Sequence, residues 1–113
     1  MKKTLLIALM AAASQLACAG GNAGAGAEKA KACAACHGAD FNTPVSPDIP
    51  RLAGQHADYL ARTLIEYKSG ARKNALMSGQ TAALSAQDVQ DIAAYVSGLK
   101  GNLQVVRLHR LAD

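Results

Sequence analysis

Cys33-Ala34-Ala35-Cys36-His37-Gly38 is the stretch on which the reading of this chain turns. Two thiols three positions apart near the end of a helix face the same side, and an imidazole follows at once. The residues ahead of them support a helix over 28–36. They are rich in Ala, and Glu28 falls in the first turn, where a negative charge meets the positive end of the helix dipole. Gly38 ends it. A thiol pair of this spacing can serve several chemistries. A thioredoxin-like dithiol needs a strand ahead of its helix, and the chain carries no strand-like alternation of useful length. A zinc site would need two more ligands from His37, His56 and His109, which offer no second C-x-x-C and no H-x3-H spacing. A disulfide across two intervening residues closes too short a loop to stabilise much.

The pattern C-x-x-C-H fits covalent attachment of a c-type haem: both thiols can form thioethers to the vinyl groups of one porphyrin, and His37 reaches the iron. Composition points the same way. Half of the 113 residues are hydrophobic, yet aromatics are only 4%, three Tyr and one Phe with no Trp, so large core-filling side chains are scarce. A covalently held porphyrin would bring the missing apolar mass. The length allows one domain. The formal charge is +4 with no long single-sign run, which argues against a polyelectrolyte or a nucleic-acid partner.

A haem iron wants a sixth ligand. Cleavage of the leader described below removes Met1 and Met10, leaving Met77 as the last thioether, with His56 and His109 as the imidazole alternatives. Met77 falls in a Gly/Asn-bearing loop between two expected helices, from which it could fold across the far face of the haem. His56, at the start of the helix that precedes this loop, is the runner-up. A His/Met pair closes the coordination sphere and raises the potential, which suits one-electron transfer and disfavours oxygen or peroxide chemistry. The second ring nitrogen of His37 needs a carbonyl partner, and the loop holding Pro44, Pro47 and Pro50 can supply one.

Outward from the motif, residues 39–55 read as irregular because three prolines in seven positions exclude a helix. Leu60, Leu64 and Tyr67 predict a helix over 57–69 with Gly70 as its stop. Ser85-Ala86-Gln87-Asp88 predicts a capping box, followed by Val89, Ile92, Ala93, Val96 and Leu99 on one face. The class is all-α, with three main helices and long loops. At the other end, Met1-Lys2-Lys3, the apolar run 5–13 and Ala17-Cys18-Ala19 read as a signal peptide, residues 1–19, and imply export to the periplasm. A lipid anchor on Cys18 is the competing route, although Gln15 stands where that pattern wants an aliphatic residue. The apolar run is too short to remain as a membrane span. The Gly-rich 20–27 read as a flexible segment, and 101–113 as a C-terminal extension of open conformation.

With these residues in place, the sequence resembles the class I c-type cytochromes of the small bacterial periplasmic, monohaem kind, and also one half of the dihaem members of that class. Besides the Cys33 motif, the resemblance rests on Pro50-Arg51-Leu52-Ala53-Gly54-Gln55, Tyr59-Leu60 and Tyr67-Lys68-Ser69-Gly70-Ala71-Arg72. It continues through Asn74, Met77, Leu84-Ser85 and Ala93-Ala94-Tyr95. It implies a cytochrome c domain over 28–100 wrapped around one haem c. In it Cys33 and Cys36 are the covalent attachments, His37 the proximal and Met77 the distal iron ligand. Pro50 lends its carbonyl to His37, Leu52 packs beside the haem, and Arg72 partners a propionate. The first and last helices are implied to cross near Ala30 and Tyr95. The expected role is a monomeric electron carrier, not an enzyme, that meets its redox partner proteins transiently; the alternative is a haem-bearing subunit of a periplasmic redox enzyme.

Overall fold

Asn22 opens the first helix: its side-chain oxygen accepts from the Ala25 amide at 2.9 Å, and α1 runs over Ala23–Lys29. In this computed structural model, which describes residues 20–103, four more helices follow: α2 Lys31–His37, α3 Ala57–Ser69, α4 Ala75–Thr81 and α5 Ala86–Ser97. No strand occurs among the described residues. The leader and its Cys18, and the tail with His109, lie outside them. Among the described residues, no helix is long and apolar enough to cross a membrane.

The expected flexible segment 20–27 is therefore corrected: most of it is α1. Each Gly in a helix costs about 1 kcal/mol relative to Ala, so propensity alone disfavours this helix. Packing reverses the sign. A Cβ on Gly26 would lie 1.9 Å from the Asp91 carbonyl oxygen and 2.9 Å from the Tyr95 Cβ, so only glycine lets α1 lie directly on the α5 backbone. Ala30 is buried and Tyr95 packs on the core, and α1 meets the α5 backbone at Gly26, one turn before Ala30.

Polar bonds fix the same crossing. The buried Asp91 carboxylate accepts from the Asn22 amide at 2.7 Å, from Lys29 Nζ at 2.6 Å and from Gln87 Nε2 at 2.8 Å; Lys29 also reaches Asp88 at 2.8 Å. Three donors around one carboxylate offset the cost of taking it out of water. The α3 helix matches its predicted span, whereas α5 ends at Ser97 with Gly98 as its cap, short of Leu99; the capping box is present, with Asp88 N donating to Ser85 Oγ at 3.0 Å and Ser85 N to Asp88 Oδ2 at 2.9 Å. The apolar core consists of Ala30, Phe41, Ala53, Leu60, Ala61, Val89, Ile92, Ala93 and Val96, of which four are alanine. The side chains alone thus build a thin core, as the composition implied.

Gly26→Ala is expected to destabilise the fold by about 1–3 kcal/mol, the usual range for overpacking, read as a lower urea midpoint. Lys29 holds the Asp88 and Asp91 carboxyls down at about 2. Because these folded values lie below the unfolded carboxylate value of about 3.9, the stabilisation is complete above that value. It is lost as pH falls from about 4 toward 2. Urea midpoints between pH 7 and 2 should show that loss, and Asp91→Asn should flatten the profile while lowering the neutral-pH midpoint.

Candidate functional site

The α2 helix presents Cys33, Cys36 and His37 within its seven residues and stops at Gly38, whose φ of 90° is strained for any side chain. A Cβ there would also lie 2.3 Å from the Thr43 carbonyl oxygen. The chain turns back under Asp40, whose carboxylate accepts from the Asn42 and Thr43 amides, both at 2.9 Å, and from Thr43 Oγ1 at 3.0 Å. Those bonds, the Asn42 amide first, hold the Asp40 carboxyl below its ordinary value. Val45 N then donates to the Cys36 carbonyl at 3.0 Å, tying the loop to the helix it has just left.

Phe41 closes the loop from inside. It adopts φ 56°, unusual for an aromatic residue, and its carbonyl accepts from both Leu52 N at 2.8 Å and Ala53 N at 3.1 Å. Its ring is fully buried, stacked at 6.5 Å on His37 and edge-on at 6.1 Å to Tyr95. This return places the Pro50 carbonyl 2.8 Å from His37 Nδ1. A carbonyl only accepts, so Nδ1 carries the proton and Nε2 keeps its lone pair. The buried imidazole is thereby fixed in the tautomer a metal requires.

Both thiols are free and half-buried, and burial pushes the Cys33 thiol above its ordinary value. Leu52 packs half-buried against the core, in reach of this loop through its amide bond to Phe41. One expectation changes. Met77 is not in a loop: it sits half-buried in the first turns of α4, its amide donating to the Asn74 cap at 2.9 Å. Arg72, expected at a propionate, donates from Nε to Glu66 Oε2 at 3.0 Å and lies over the Tyr67 ring at 5.5 Å. His56, the alternative ligand, is exposed at the cap of α3, in a groove of about 560 Å³ lined also by Gln55, Asp58, Tyr59 and Arg62. Phe41 and Gly38 complete the site around His37. The only sequence signal for Phe41 was that it is the sole Phe.

The donor set fits a haem: two free thiols and an imidazole with an available Nε2 share one short helix, and a thioether stands on another. Among the described residues, no group of three or more His, Cys, Asp or Glu side chains could hold a bare metal ion. An all-helical fold with this arrangement defines the class of proteins that carry haem covalently.

The chain belongs to the cytochrome c family, whose model, described as Cytochrome c, matches residues 22–100. Haem c, with its iron, is the covalent cofactor of that family. The chain is 48% identical over 85 residues to cytochrome c4 of Pseudomonas aeruginosa, covering 75% of this chain and 42% of that one. It is 44% identical over 80 residues to cytochrome c-554(548) of Halomonas halodenitrificans, covering 68% of this chain and 95% of that one. The solved structure of reduced recombinant cytochrome c4 from Pseudomonas stutzeri aligns with a TM-score of 0.68 at 42% identity, over 74% of this chain and 48% of that one. The chain thus spans about half the length of the cytochrome c4 relatives.

Since the acceptor for His37 is a main-chain carbonyl, side chain and backbone can be separated by mutation. Pro50→Ala keeps the bond and should cost under about 1 kcal/mol. Gly38→Ala displaces the return loop and should cost about 1–3 kcal/mol or more. Denaturation of both holoproteins checks the difference, and only the Gly38 variant should also shift the reduction potential.

Proposed function

We propose that this protein is a one-electron carrier of the periplasm, with Cys33 and Cys36 as the covalent haem attachments, His37 as the proximal iron ligand and Met77 as the distal one. The observation that carries the reading is the Nδ1 bond of His37 to Pro50, beside two free thiols on the same short helix. Bound haem c supplies a reversible Fe(III)/Fe(II) couple.

The rest falls to the polypeptide. Pro50 orients the His37 ring and makes it a stronger donor, while Phe41 and Tyr95 stop it from tilting. Leu52 lines the haem, and burial of His37 keeps water from competing for its Nε2. With a thioether at the sixth position no substrate site remains open, so the role is to carry electrons rather than to transform a bound molecule. Its partners are redox proteins that donate or accept one electron in transient encounters. The carrier is exported by its 1–19 leader and works as a monomer.

Intact mass and visible spectra of protein exported from a haem-loading host test this directly. The mass should equal the cleaved chain plus one haem, and the reduced spectrum should be that of six-coordinate low-spin iron. Met77→Ala should open the sixth position, admit added imidazole and lower the potential. Cys33→Ala with Cys36→Ala should abolish covalent haem. A folded, colourless product would overturn the proposal, and an unchanged Met77→Ala spectrum would move the distal ligand to His56 or His109.

A further inference from the structure

The α4 helix has little apolar anchorage. It has seven residues, and its one buried side chain is polar: Thr81, whose Oγ1 donates back to the Met77 carbonyl at 2.9 Å and to the Ser78 carbonyl at 3.3 Å. It contributes nothing to the apolar core, and its largest aliphatic residue, Leu76, is 58% exposed. It packs chiefly on α3. Burial therefore does little to orient it, and the two connections to its neighbours must do so.

Both connections are fastened to the last turns of α3. Upstream, Arg72 N donates to the Glu66 carbonyl at 3.1 Å and Arg72 Nε to the Glu66 carboxylate at 3.0 Å, with the guanidinium resting on Tyr67. Two residues later Asn74 caps α4 through the Met77 amide itself. Downstream, Lys68 Nζ donates to the Leu84 carbonyl, and Leu84 N to the Thr81 carbonyl at 3.1 Å. The other cation near Glu66, Arg62, is more exposed and farther away, at 3.7 Å.

We propose that the Glu66–Arg72 pair, seconded by Lys68 on the Leu84 carbonyl, is a positioning lock that keeps α4 in the register at which Met77 reaches the iron. This rests on Met77 being the distal ligand. Arg72 acts here through Glu66 and the Asn74 cap, not through contact with the haem.

The test uses ferric holoprotein, with added imidazole as the probe of sixth-site opening and the near-infrared thioether-to-iron band as the signature of Met77 ligation. Glu66→Gln and Arg72→Gln should each raise the imidazole association rate by about two- to fivefold, the range for a partly exposed pair, and weaken the band. The double variant should do no more than either single one. The charge swap Glu66→Arg with Arg72→Glu should return both readouts toward wild type, and Arg62→Gln should leave them unchanged. An effect of Arg72→Gln with a silent Glu66→Gln overturns the lock, because Arg72 then acts without its partner. Silence of both, while Met77→Ala opens the sixth site, overturns the lock and leaves the ligand assignment standing. A Met77→Ala spectrum identical to wild type removes the ligand and the lock together.

Discussion

The hydrogen bond from His37 Nδ1 to the Pro50 carbonyl is the constraint around which the site is arranged. A histidine beside two cysteines could rotate, change tautomer or turn to solvent. The bond removes all three freedoms by committing one ring nitrogen to a main-chain acceptor that proline's fixed φ helps to aim. Its cost is distributed over the return loop. Gly38 must take a left-handed turn, Asp40 must organise the next three residues, and Phe41 must accept a backbone conformation that aromatic residues avoid. Two amide bonds to the Phe41 carbonyl and full burial of its ring hold that conformation in place. Strain at Phe41 and order at His37 are two sides of one arrangement.

The opposite side of the domain answers a different need. A core of nine residues, four of them alanine and one aromatic, cannot alone bind the terminal helices together. The α1–α5 crossing compensates by bringing backbones into contact at Gly26 and by surrounding the Asp91 carboxylate with three donors from two helices. Removing one donor leaves a buried charge partly unpaired, so the cluster is costly to disturb although the intact ion pair itself adds little. The crossing also backs the site: Tyr95, on the α5 face that Gly26 meets, is the residue whose ring braces Phe41.

The parts of this fold that were legible in the sequence are those where one local rule dominates. Leu60, Leu64 and Tyr67 with Gly70 marked both ends of α3, and the Ser85–Asp88 box marked the start of α5. The thiol and imidazole spacing pointed to the candidate site. The α1 helix was not legible, because Ala23-Gly24-Ala25-Gly26 has the composition of a linker and becomes a helix only when α5 is present to make glycine necessary. The cap at Asn74 was a readable signal for α4, but Gly79 within seven residues pointed to a loop. Arg72 could not be placed by pattern, since the carboxylate that claims it lies six positions away across a helix end. Phe41 had no signature, because a positive φ at an aromatic residue follows from tertiary closure and not from local preference.

The two proposed axial donors therefore sit in unlike settings. His37 is buried, bonded and stacked, and its position is set by the same loop that closes the core. Met77 is half-buried on a short helix with no apolar anchor, positioned by a cap and by polar ties to α3. A one-electron couple is fast when neither ligand has to move between oxidation states, so a carrier needs stiffness on both sides of its iron. On the His37 side packing provides it, and packing is indifferent to salt. On the Met77 side it comes from partly exposed charges, whose hold weakens as ionic strength rises. With Met77 as the proposed distal ligand, the side of the iron most open to ionic conditions would be the one that α4 holds.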